Sequence, residues 1–286
     1  MKVLFTIPHY FRPTGAAPDG RSHGSVRDAA PRVAALTECL TAIHRALTPR
    51  ASVLSHSDRQ AHFLTPQDPI RSDVVVCTVG GDHLLDLLGP VDRRWTHHPT
   101  TASPPFLGYE CHAVLRDRLG EYDYYCYLED DIVLTDPWLF RKLRWFSQQF
   151  GEDRLLQPNR FEAGTHPLLD KIYVDGDLPP HCTASFQHVQ PPTTLSADVF
   201  GVPIEFQSTT NPHAGCFFLN AAQMERWSRT SYFLDRSDAF IGALESAASL
   251  GIMRAFSVFK PSLVNADFFE VRHHGSAYLS MVKPGR

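Results

Sequence analysis

Tyr124-Tyr125-Cys126-Tyr127-Leu128-Glu129-Asp130-Asp131-Ile132-Val133 changes character at a single peptide bond. Up to Leu128 every side chain is aromatic or apolar, without the polar alternation of a strand wetted on one face. The run therefore reads as a central strand buried on both faces of a sheet. Three carboxylates follow at once. Acids packed at the mouth of an apolar strand repel one another and resist burial, so something positive must offset them. In an open α/β sheet the carboxyl ends of the strands form the ligand crevice. A hard divalent cation carrying substrate phosphates is a natural counter-charge, because Mg²⁺ and Mn²⁺ take a few carboxylates plus phosphate oxygens and water. A solvated acidic turn would show the same letters.

Outward from this segment the chain alternates strand and helix. Met1–Ile7 is a first apolar strand ended by Pro8, and Pro13–Asp28, rich in Gly, Pro, Ser and Arg, is a loop. Ala29–Leu47 carries Val33, Leu36, Leu40, Ile43 and Leu47 at helical spacing. Asp73–Val79 is a second buried strand, stopped by Gly80-Gly81, and Pro90–Pro105 is a connection leading to a helix over Tyr109–Leu119. Pro137–Phe150 is another helix, with Asp136 as N-cap. Beyond it, Leu155–Ile204 reads as largely irregular, with short strands at Arg154–Gln157 and Lys171–Val174. Cys216–Leu219 is a strand and Asn220–Arg229 a helix. A last helix is expected over Asp238–Leu250, closed by Gly251, followed by a strand over Ile252–Phe259. This order predicts an α/β chain with a mostly parallel sheet, flanking helices and a mixed C-terminal half.

The chain has 286 residues, 43% hydrophobic and 20% charged, with a formal net charge of −4. That is enough for a substantial core, and the negative balance argues against general nucleic-acid binding. No run reaches the roughly 20 apolar residues of a membrane-spanning helix, and the N-terminus has no signal-peptide pattern. A cytoplasmic location is expected, with loose association at a membrane face left open. Six scattered cysteines without a CxxC pair read as buried free thiols rather than as a zinc site.

The Tyr124–Val133 segment resembles the strand and DxD-type motif of GT-A glycosyltransferases, in the Glu-Asp-Asp form of N-acetylglucosaminyltransferase I-like enzymes. Arg32–Leu36 through Cys39-Leu40, after the strand Lys2–Ile7, is similar to the first helix of that superfamily. The resemblance implies one GT-A-like domain over 1–286, with a nucleotide-sugar-binding half at 1–150 and an acceptor-binding half at 151–286. It implies transfer of a sugar from a nucleotide-diphospho donor, with a UDP-sugar as the expected one, to a hydroxyl of a glycan or another hydroxylated acceptor, with Mn²⁺ or Mg²⁺. Carried over by position, Asp131 binds the metal, while Asp130 and Glu129 hold ribose hydroxyls or metal-bound water. His273 or His274 closes the metal sphere, with His274 preferred for its place beside Gly275. Arg116, on the helix before the metal strand, reaches towards the donor. Two other readings stand beside this one: a metal-dependent nucleotidyltransferase, and a non-catalytic glycan-binding protein retaining the fold.

The remaining candidates come from residue chemistry. An inverting transfer needs a carboxylate within reach of the acceptor hydroxyl. Glu245 and Asp238, seven apart on one expected helix, are the candidates, Glu245 foremost. Arg12 and Arg32 suit phosphate or nucleotide contacts, and Tyr10 could stack on a base. The resemblance implies a further pair: GT-A enzymes line the sugar pocket with a segment like Asn211-Pro212-His213-Ala214-Gly215, which makes Asn211 and His213 candidates for sugar hydroxyls. Asp175-Gly176-Asp177 has the letters of a DxD motif but is read as a turn, because it follows a short strand and precedes Pro179-Pro180.

Overall fold

The computed structural model describes residues 1–13, 28–47, 51–89, 94–187 and 193–283. In chain order its elements are β1 (Lys2–Pro8), α1 (Ala30–Ala46), β2 (Ser52–Leu54), β3 (Ala61–Phe63), β4 (Arg71–Val79), β5 (Thr96–Thr100), α2 (Leu107–Asp117), β6 (Tyr124–Leu128), β7 (Ile132–Val133) and α3 (Leu139–Phe150). There follow β8 (Arg154–Leu156), β9 (Asn159–Ala163), β10 (Lys171–Tyr173), β11 (Thr194–Val199), β12 (Val202–Ser208), β13 (Cys216–Asn220), α4 (Ala221–Ser228), α5 (Ala243–Ala255), β14 (Ser257–Pro261) and β15 (Glu270–His273). Most of the Pro13–Asp28 loop lies outside the described residues.

The central sheet runs β13-β6-β1-β4-β5. β1, β4, β5 and β6 are mutually parallel, and β13 is antiparallel on β6. Alternate residues feed two separate cores. Val3, Phe5, Ile7, Tyr124, Cys126 and Leu128 pack with α1 and α3, whereas Leu4, Tyr125 and Tyr127 pack with α2, α4 and α5. This is why the Tyr124–Leu128 run has no polar position: helices cover both faces. The carboxyl ends of β1, β4 and β6 share one edge, which puts His9, Gly80 and Glu129 side by side above the sheet.

The C-terminal half is mixed, as expected. β10-β9-β15-β7 forms one small sheet and β11-β12-β14-β8 another. The middle is more ordered than its prolines suggest. β12 is buried at Ile204, Phe206 and Ser208 only, a period-two pattern that was present in the letters.

The helix expected over Asp238–Leu250 is shifted. It starts at Ala243, because Ser246 Oγ accepts the Phe240 N–H (3.0 Å) and donates to the Phe240 carbonyl (3.1 Å), tying 240–246 into a turn. Asp238 lies in the exposed segment before it. Gly251 does not close α5 but sits inside it. A Cβ there would meet the Trp227 ring at 2.5 Å, so the glycine answers a packing demand rather than a capping one.

Candidate functional site

Glu129, Asp130 and Asp131 are all at least nine-tenths buried. Counter-charge comes first from the protein itself. Arg32 of α1 donates from Nη2 to Asp130 Oδ1 (2.5 Å) and Oδ2 (2.7 Å), and its Nη1 lies 3.7 Å from Asp131 Oδ2. His9, directly after β1, completes the grip on Asp130. The Leu84 N–H donates to His9 Nε2 (3.1 Å), so the ring proton is on Nδ1 and donates to Asp130 Oδ2 (2.6 Å). Burial would raise the Asp130 carboxyl, but Arg32 and His9 overcome it and hold the group below its ordinary value. With three hydrogen bonds from two side chains on its two oxygens, Asp130 acts as a staple between the ends of β1, α1 and β6. That corrects the expectation that it is free for a ribose.

The other two acids are less satisfied. Glu129 Oε1 and Asp131 Oδ1 are buried and have no hydrogen-bond partner among the described residues. Burial, opposed by Arg160 and reinforced by Asp131 and Glu245, pushes the Glu129 carboxyl up to about 8. Asp131 is held well below the carboxylate range: burial opposes its charge, but His273, Arg32 and Arg160 outweigh it.

Of the two histidines, the structure turns His273 and not His274 towards Asp131. β15 pairs with β7, bringing His273 opposite Ile132 and its Nε2 to 3.5 Å from Asp131 Oδ2. Its Nδ1 contacts Glu162 Oε1 at 2.8 Å, a carboxylate–imidazole pair of the kind that orients a ligating histidine. His274 instead turns its ring to Glu38 of α1 (Nδ1 to Oε2, 2.6 Å), and only its backbone N–H reaches the Asp131 carbonyl (2.8 Å). Strand alternation sends neighbouring side chains apart, so proximity to Gly275 was a poor guide.

Behind Glu129 lies a buried ionic cluster that sequence reading missed. Arg160 of β9 donates from Nε (3.2 Å) and Nη2 (2.7 Å) to Asp175 Oδ1, and its Nη1 stands 3.7 Å from Glu129 Oε2. Lys260 of β14 lies 3.5 Å from Asp175 Oδ2 and donates to the His213 carbonyl at 2.5 Å. Asp175 of the Asp-Gly-Asp triplet is thus an internal counter-ion and not a surface turn.

Gly215 lies across from Glu129, whose N–H donates to the Gly215 carbonyl (2.8 Å). Its φ of +64° and a virtual Cβ only 2.8 Å from Glu129 Oε2 leave room for glycine alone. The rest of the 211–215 segment is buried. His213 Nδ1 hydrogen-bonds with Ser249 Oγ of α5 at 2.9 Å, and burial lowers the ring to about 3, so it is neutral at physiological pH. Glu245, in the first turn of α5, is near enough for its charge to act on Glu129.

Arg12 is exposed and pairs with Asp82 (2.7 Å) in the loop after β4. Tyr10 is partly buried against the core on the α2 side. Arg116 is corrected: it occupies the last turn of α2, which leads into the start of β6 rather than its carboxyl end, and pairs with its neighbour Asp117 (2.7 Å).

The donor set fits a hard divalent ion in part. His273 Nε2 stands 3.5 Å from Asp131 Oδ2, and Asp131 Oδ1 and Glu129 Oε1 are buried oxygens without a hydrogen-bond partner among the described residues. Among the described residues no three His, Cys, Asp or Glu side chains are gathered to enclose an ion. The protein would supply only part of the sphere, the habit of Mg²⁺-like ions completed by phosphate and water.

No protein-family model matches the sequence, and no curated protein does either. Among solved structures, the chain is similar over 96% of its length to S. aureus TarS 1-349, at 8% identity and a TM-score of 0.46, and spans 60% of that chain. It is also similar to CMP:2-keto-3-deoxy-manno-octonic acid synthetase complexed with CTP (13% identity, TM-score 0.38, 91% of this chain and 90% of that one). A third likeness is to mouse xyloside xylosyltransferase 1 in its apo form (12% identity, TM-score 0.37, 90% and 85% covered). Among the described residues no helix is long and apolar enough to cross a membrane.

Proposed function

We propose that this chain is a metal-dependent glycosyltransferase that moves a sugar from a nucleotide-diphospho donor, UDP-linked by preference, to a hydroxyl of a glycan or other acceptor. One observation carries the reading. At the carboxyl edge of a parallel sheet, Asp131 and Glu129 each keep a buried oxygen without a partner among the described residues, beside an imidazole held by a second carboxylate. Asp131 and His273 would hold Mn²⁺ or Mg²⁺, which when bound neutralises charge on the departing nucleoside diphosphate.

The chain's own residues do the rest. Arg32, fixed on Asp130, keeps a cation beside Asp131 where diphosphate charge would gather. Glu245, half-buried at the start of α5, serves as the base. The acceptor oxygen forms a bond to the sugar's anomeric carbon, the bond from that carbon to the phosphate oxygen breaks, and the acceptor's proton passes to the Glu245 carboxylate. Arg12, in the exposed stretch after β1, would contact the donor's nucleotide.

The test is thermal stabilisation by UDP with and without Mn²⁺, for the wild type and Asp131→Ala. Wild type should gain several degrees only with both ligands, and Asp131→Ala should lose that synergy. Equal UDP-plus-Mn²⁺ binding by the variant would refute the assignment.

A further inference from the structure

Between α1, β15 and the stretch leaving β7 the protein leaves a cavity of about 380 Å³, inside the roughly 300–1,000 Å³ range of small-molecule sites. One wall is a single stripe of α1. Glu38, Ala42, Arg45 and Ala46 recur at helical spacing, so two alanines leave a gap between two charged side chains. The facing wall is apolar: Val133 and Leu134 at the end of β7, and Pro137 before α3. Arg272 of β15, paired opposite Val133, lines the Glu38 end.

The cavity is separate from the acidic edge. Neighbouring residues of β15 point to opposite faces: His273 turns to Asp131 and Glu162, Arg272 to Glu38. Arg45 comes 13 residues after Arg32 on the same helix, about 20 Å away at 1.5 Å per residue.

Charge decides what fits. Glu38 is engaged at both oxygens, by Arg272 Nη2 at Oε1 and by His274 Nδ1 at Oε2 (2.6 Å). Arg45 is exposed and has no ion pair or hydrogen bond among the described residues. One lining carboxylate thus stands against two lining guanidiniums, and a positive charge is left over. A carboxylate head suits the paired N–H groups of a guanidinium, and an alkyl body suits the alanine floor and the Val133–Leu134 wall. An ammonium would meet Arg45 with Glu38 already taken. A sugar would find Thr135 as its one neutral hydroxyl among the described lining residues.

We infer that this cavity is a second ligand site, for a small amphiphilic carboxylate whose acid head pairs with Arg45 and whose apolar body lies on Ala42 and Ala46.

The experiment is calorimetric titration of the full chain with octanoate, octanol, octylammonium and acetate. Wild type should bind one octanoate per chain, octanol and acetate at least fivefold more weakly, and octylammonium not at all. Arg45→Gln should weaken octanoate by about fivefold, the worth of one exposed ion pair. It should leave octanol binding and Tm unchanged, since this side chain has no partner to lose, and Arg45→Lys should recover part of the loss. Ala46→Phe, checked for a wild-type circular dichroism spectrum, fills the floor and should abolish binding. Saturating UDP and Mn²⁺ should leave octanoate affinity within about twofold. Absence of saturable octanoate binding, equal affinity for octylammonium, indifference to Arg45→Gln, or displacement of octanoate by UDP and Mn²⁺ would overturn the inference.

Discussion

Replacing Gly251 by alanine sets two known effects against each other. In the interior of α5, Gly→Ala should stabilise by about 1 kcal/mol through helix propensity. The added Cβ, however, would lie 2.5 Å from Trp227 Cζ2, 2.7 Å from Nε1 and 2.8 Å from Cε2. Ordinary carbon contacts begin near 3.5 Å, so the indole or the helix must retreat by about 1 Å. Trp227 has nowhere to go. It is 2% exposed, and the rings of His112, Phe217 and Phe233 stand against it with centroids at 4.9, 5.4 and 4.8 Å. Overpacking of this kind costs about 1–3 kcal/mol, and an enclosed tryptophan favours the upper end. The net expectation is destabilisation by about 2 kcal/mol, which is about 4–8 °C in Tm for a domain of this size. Urea and thermal unfolding of Gly251→Ala measure it. In a cycle with Trp227→Phe the two changes should couple by about 1 kcal/mol or more. A Tm equal to or above wild type would show that the α4–α5 contact is looser than described and would refute the reasoning.

Three further outcomes are expected. His112 is buried and lowered to about 3 by desolvation, against an ordinary value near 6.5. Its native ring resists the proton that the unfolded chain accepts. Stability should therefore fall as pH drops from about 6.5 towards 3, by about 2 kcal/mol at pH 5 from this group, with no contribution above pH 7; a His112→Gln variant whose urea midpoint falls as steeply as wild type between pH 7 and 5 would contradict this. Arg160→Met should cost about 3–5 kcal/mol in urea unfolding, because buried Asp175 keeps only Lys260 at 3.5 Å. Glu38→Ala, whose carboxylate is 38% exposed, should cost less than about 1 kcal/mol although it pairs with both Arg272 and His274; a reversal of that order would mean that burial is not what sets these costs.

Local pattern was enough to read the central strand, its covered faces and the acidic step at Leu128–Glu129, because all three are consequences of neighbouring residues. The Rossmann-like alternation of the first half followed in the same way, and so did the mixed second half. Boundaries were lost where a distant side chain intervened. Gly251 looked like a helix end because glycine often is one, and only the Trp227 ring shows that it is a contact. Asp238 and Glu245 looked like one helical face until the Ser246 hydroxyl claimed the Phe240 backbone.

The site divides along the same line. That three carboxylates stand together, and that they need positive charge, is written in Glu129-Asp130-Asp131. Which charges answer is not. Arg32 reaches Asp130 across 98 residues and His9 across 121. Arg160 and Lys260 come from two strands of the second half and Asp175 from a turn. Pairing between buried ions depends on where the chain crosses itself, and no periodicity records a crossing. The sequence by itself determined that a costly acidic cluster sits at a sheet edge. The crossing of distant segments sets Arg32 and His9 on Asp130, turns His273 and not His274 to Asp131, and leaves Glu129 and Asp131 an oxygen each without a partner among the described residues.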